Sequence, residues 1–150
     1  MIHKRKSALR VILGIITVIT LIFACLLVNY IYVTCYKINP VDTSTSPDGT
    51  CELAFQQVGD PEWPFGPTHA RLVLKNGNRI IIKQTFDIAD DGAKASINNW
   101  DVNWKDTSVE VVISGSEQYD VLYVLNFDET VDRKQLDTRY GHIKDEQSTN

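Results

Sequence analysis

From Val11 to Val33 the chain runs VILGIITVITLIFACLLVNYIYV, 23 residues without a charge, fifteen of them Leu, Ile, Val or Phe. A helix of that length rises about 1.5 Å per residue and spans about 35 Å, enough for a hydrocarbon core of about 30 Å with some tilt. Fifteen large apolar side chains at about −0.4 kcal/mol each favour insertion by about −6 kcal/mol. Thr17, Thr20 and Asn29 offset only part of this. The stretch therefore reads as a transmembrane helix, and it divides the chain into a short basic tail (1–10), the helix (11–33) and everything beyond.

Charge is divided along the same line. Lys4, Arg5, Lys6 and Arg10 precede the helix and only Lys37 follows it closely. All nineteen Asp and Glu lie further on, against ten Lys or Arg, a balance of −9 behind a formal net charge of −4. Short flanks rich in Lys and Arg stay on the cytoplasmic side. The expected topology is a single pass, N-terminus inside, acidic body outside at the cell membrane. An acidic body also lacks the basic face that phosphate backbones require, which argues against nucleic acid as a partner.

Two rival readings of the same stretch stay open. A cleaved signal peptide has an apolar region of about 7–15 residues, shorter than this one. Ile22-Phe23-Ala24-Cys25 faintly resembles a lipoprotein cleavage box, with lipidation at Cys25. Phe23 is bulky for such a box, and Leu26-Leu27-Val28 stay apolar where a mature lipoprotein turns polar. Of the other cysteines, Cys35 and Cys51 would both lie outside, where disulfides persist. A bridge would close a loop of about 16 residues worth about 3 kcal/mol, provided that their Cα atoms approach within about 7 Å. Two unrelated thiols is the alternative.

Tyr30, Tyr32 and Tyr36 cluster at the helix exit, as interfacial aromatics do. Residues 34–49 are polar, with Pro40, Pro47 and Gly49, and read as a tether ending in a turn. Period-two patterning then predicts an antiparallel β-domain over 50–128, of about six strands in up-and-down order: 50–58, 69–75, 79–86, 97–104, 108–114 and 118–127. Asn76-Gly77 predicts a type I′ hairpin. Strands 108–114 and 118–127 are apolar on both faces and are expected at the centre. Residues 129–150 read as a polar tail, with Leu136, Tyr140 and Ile143 its large apolar residues, making at most one helical turn or a short strand. The fold class is mainly β, one N-terminal transmembrane helix followed by a small antiparallel sheet domain.

Ser46-Pro47-Asp48-Gly49 followed by a strand resembles the opening of a blade in TolB-type β-propellers. With the anchor and the run from Trp104 through Gly115 to Tyr123, the layout resembles small membrane-anchored bacterial proteins with one extracytoplasmic β-domain. The resemblance implies a layout and a bacterial envelope setting, and no chemistry.

Candidate chemistry is sparse. The histidines His3, His69 and His142 form no zinc spacing with Cys or with one another. There is no phosphate-cradling glycine loop and no nucleophile elbow. His69 is the one candidate base or metal ligand for an envelope hydrolase or metal-dependent enzyme. Asp87, Asp90 and Asp91 before Gly92 invite calcium, yet an EF-hand register from Asp87 places Ala89 and Asn98 where ligands belong. No cofactor is indicated. The remaining candidates are aromatic: Trp63 and Phe65 in a long proline-rich loop, Trp100 and Trp104 on one strand face. Each pair is either core or a partner-contact surface. The second strand pair favours core; the loop pair stays divided. The leading expectation is a membrane-tethered, non-enzymatic binding or accessory protein with a protein partner in the envelope. A structural envelope component is a further alternative.

Overall fold

The computed structural model describes residues 2–62 and 64–139, with only the helical backbone for residues 2–9. Helix α1 runs Ile2–Ile31 and widens into one π-helical turn over Tyr32–Tyr36. Within them Arg10–Tyr36 contains an 18-residue stretch with a mean hydropathy of 3.1, none of it buried, so this helix is long and apolar enough to cross a membrane. Two of its hydroxyls are satisfied internally: Thr17 Oγ1 donates to the Leu13 carbonyl and Thr20 Oγ1 to that of Ile16, both at 2.9 Å. Such back-bonding is what a hydroxyl does where no water is available.

Beyond the helix the described residues form two four-stranded antiparallel sheets, each in consecutive order. The first holds β1 (Ile38–Thr45), β2 (Cys51–Val58), β3 (Thr68–Asn76) and β4 (Arg79–Ile88); the second holds β5 (Trp100–Trp104), β6 (Ser108–Ile113), β7 (Val121–Asn126) and β8 (Val131–Gln135). The up-and-down order agrees with expectation and the single six-stranded sheet does not. Eight strands form, because Ile38–Thr45, read as tether, pairs along β2, and Val131–Gln135, read as tail, pairs along β7. Neither carries a fully buried residue. Both are edge strands held by a neighbour's free backbone, so neither needs an apolar stripe of its own.

The sheets face each other across one core. Leu53, Phe55, Leu72 and Leu74 from the first meet Val109, Val111, Ile113, Tyr123 and Leu125 from the second. Through it runs a line of rings: Trp100 to Phe55 (centroids 5.3 Å), Phe55 to Phe86 (6.1 Å) and Phe86 to Tyr123 (5.4 Å). β6 and β7 sit centrally as expected. Ile97–Asn99, expected as strand, is a short 3₁₀ turn closed by a capping box, in which Ser96 Oγ accepts the Asn98 N–H and Asn99 Oδ1 accepts the Ser96 N–H. At the Asn-Gly hairpin only Gly77, the first central residue, has positive φ (+54°). That pattern is type II′ and not the expected I′.

Helix and domain join without slack. Lys37 N–H donates to the Tyr32 carbonyl and closes the π turn; Asp60 N–H then donates to the Thr34 carbonyl (2.9 Å) and Gly59 N–H to that of Lys37 (2.8 Å). Gly59 has φ +71°, and a Cβ there would lie 2.2 Å from the Thr34 oxygen, so only glycine permits the approach. The β2–β3 loop (59–67) therefore sits against the helix end. Cys35 is exposed there and Cys51 is buried at the far end of β2, both free thiols. Seven steps of about 3.3 Å separate Cys51 from Val58, far beyond disulfide reach.

Candidate functional site

Among the described residues four strands stand at a sheet edge, β1, β4, β5 and β8, and they are not equally protected. β1 carries Pro40 and a bulge between Pro40 and Asp42. β8 is five residues long and reads Val-Asp-Arg-Lys-Gln. Proline, bulges, shortness and charge all discourage strand addition. β1 and β5 are also stapled to each other: Trp100 Nε1–H donates to Asp42 Oδ2 (3.2 Å) and Trp104 Nε1–H to Ser44 Oγ (2.9 Å). Both indoles are half-buried and packed on the core. Trp100 and Trp104, raised as partner contacts, thus form a seam along one side of the sandwich.

Among the described residues the opposite side is bridged only at its ends, by Arg79 with Glu129 and by Ala89 with Glu117 and Gln118, and is open between them. Between β4 and the β7–β8 edge lies a cleft of about 600 Å³, lined by Gln84, Thr85, Phe86 and Asp87 on one side, and by residues such as Tyr123, Arg133 and Gln135 on the other. Successive strand residues point to opposite faces. Four consecutive β4 residues can line one cleft only where the strand's edge borders it. β4 is ten residues long and its only charge between Ile80 and Phe86 is Lys83. Gln84 Nε2 donates to the adjacent Thr85 carbonyl (2.8 Å). Phe86 and Tyr123, the end of the line of rings, form the apolar floor; the rim is amide, hydroxyl and guanidinium. Phe86 packs against the core, but nothing in the sequence marks β4 as an edge, since edge position depends on which strands pair.

His69 lies at the start of β3, with Nδ1 2.6 Å from Asp87 Oδ1 and Nε2 3.2 Å from Glu62 Oε1; its side chain is 46% exposed. Both ring nitrogens can serve carboxylates only as donors, which requires the imidazolium. Accordingly the Asp87 hydrogen bond, against modest desolvation and with help from both negative charges, raises the His69 pKa above its ordinary 6.5. In this arrangement both ring nitrogens are taken up by Asp87 and Glu62. The ring acts as a clasp between the 59–67 loop and β4.

The three acids, Asp87 at the end of β4 and Asp90 and Asp91 in the loop after it, go to different tasks. Asp87 holds His69. Asp90 accepts from Ser116 N–H (2.9 Å) and Asn99 Nδ2 (3.1 Å), tying three connections together. Burial works to raise its pKa, and the bonds from Ser116 and Asn99 outweigh that and lower it. Asp91 is exposed at φ +51°. Among the described residues no group of three or more His, Cys, Asp or Glu is placed to hold a metal ion. Asp48 of the Ser46–Gly49 turn accepts from Ser46 Oγ (2.6 Å) and from Thr50 N–H and Oγ1, which lowers its pKa.

Phe65 is 73% exposed, with φ +60°. Trp63, and also Tyr140, His142 and Ile143, lie outside the described residues. No family model matches this chain, and no curated protein and no solved structure was found to be similar to it.

Proposed function

We propose that this protein is a membrane-tethered, non-enzymatic binding or accessory protein that receives an extended segment of a protein partner along β4. The carrying observation is the asymmetry of the sandwich among the described residues: two indole hydrogen bonds run along the β1–β5 side, while β4 borders a cleft with an aromatic floor that is bridged only at its ends. An incoming strand gains main-chain hydrogen bonds from the edge and places alternate side chains on Phe86 and Tyr123. The charge asymmetry about α1 supports a cytoplasmic N-terminus and a domain at the outer face of the cell membrane.

The test is a photocrosslinking amino acid at Thr85 in native membranes, with Asp101 on the stapled β5 as control. We expect capture from position 85 and none from 101. The captured segment, made as a synthetic peptide, slows hydrogen exchange of the 83–87 amides. A peptide that leaves those amides unprotected, or equal capture from both positions, overturns the reading.

A further inference from the structure

The loop that touches the end of α1 also presents the most exposed aromatic ring among the described residues outside the helix. Phe65 is 73% exposed, in a segment closed on itself by Gly66 N–H to the Glu62 carbonyl (2.8 Å) and Glu62 N–H to the Pro67 carbonyl (3.1 Å). The His69–Glu62 contact holds this segment to β3. Its first residues are hydrogen-bonded to Thr34 and Lys37, at the exit of the apolar helix. On that helix exit Tyr30, Tyr32 and Tyr36 are 65%, 55% and 66% exposed. Phe65 holds its ring in the open in a left-handed backbone conformation that a bulky residue rarely adopts.

We propose that Phe65 and its flanking prolines, Pro61 and Pro64, form a second membrane contact that inserts into the lipid interface beside the helix. This rests on the reading of α1 as a membrane span. Continuity with the helix exit fixes the occupant: the loop starts at the depth where the tyrosines would lie, and the boundary of headgroups and acyl chains is what surrounds them. The charges nearby also define the lipid. Asp60, Glu62 and Asp91 line the cleft behind Phe65 with Lys94 as its one cation. The contact is therefore made by apolar insertion into zwitterionic lipid and not by attraction to anionic headgroups. Two contacts, helix and loop, fix the domain's tilt and so aim the β4 cleft relative to the bilayer.

The full chain reconstituted in phosphatidylcholine vesicles tests this, with Cys25→Ser and Cys35→Ser as background and buried Cys51 left in place. Spin labels go at Phe65→Cys, at Pro64→Cys, at Asn78→Cys in the distant hairpin, and at Val28→Cys in the helix. Circular dichroism confirms that each variant folds. Expected is an oxygen-to-nickel accessibility ratio several-fold higher at 65 and 64 than at 78, unchanged by added salt. Labels at 65 and 64 as aqueous as 78, with 28 deep in lipid, overturn the loop contact and leave the anchor standing. An aqueous label at 28 removes the anchor and the loop contact together.

Discussion

At the residue scale, two titrating groups stabilise the fold over opposite pH ranges. His69 binds its proton more tightly when folded, so its clasp contributes fully below the ordinary value of 6.5 and is lost as pH rises through the raised folded value. His69→Gln is expected to lower Tm at pH 6, with the gap closing at alkaline pH. The gap is small, because solvent screens a ring this exposed. A histidine proton titration by NMR gives a midpoint above 6.5. Asp90 has the reverse sign. Its pKa is lowered in the fold, so its stabilisation is present above the unfolded value and fades as pH falls through the folded one. Asp90→Asn is therefore expected to cost stability near neutrality and to match the parent chain in acid, which melting curves across pH will read. The sequence displayed these acids as a cluster but not their separate uses. Spacing brings Asp87, Asp90 and Asp91 close along the chain; only the packed fold ends β4 after Asp87 and brings His69, Asn99 and Ser116 to Asp87 and Asp90.

At the element scale, the join between α1 and β1 depends on one glycine. Gly59→Ala forces a side chain into left-handed backbone, at about 1–2 kcal/mol, and drives its Cβ onto the Thr34 carbonyl. The expected result is a helix released from the domain: faster exchange of the Asp60 amide and new protease cleavage at 34–37, with the sandwich still folded. On the other side, Trp104→Phe removes the hydrogen bond to Ser44 and keeps most of the apolar contact. A loss of about 0.5–1.5 kcal/mol is expected, read by denaturant titration. The edge strands explain what patterning missed. β2, β3, β6 and β7 bury one or both faces and alternate or run apolar. β1 and β8 lie at the margin of the core, so their residues carry little periodic signal.

At the scale of the whole molecule, the line of rings from Trp100 to Tyr123 links the stapled side of the sandwich to the open one. Phe55 stands in the middle, fully buried. Phe55→Ala is expected to cost about 3–5 kcal/mol and to loosen both sheets together, measurable as a single shifted unfolding transition. The charge-free run, the acidic body and the period-two strands follow from composition and local pattern alone. They determined an apolar helix, an antiparallel β-domain, up-and-down order and the central place of β6 and β7, because burial of side chains writes those features into the residues themselves. Tertiary structure decided the division into two sheets, the recruitment of Ile38–Thr45 and Val131–Gln135, the seam at Trp100 and Trp104, and the open edge at β4. Those depend on which backbone groups are left over once the strands have paired, and a free N–H or C=O is the same in every residue but proline.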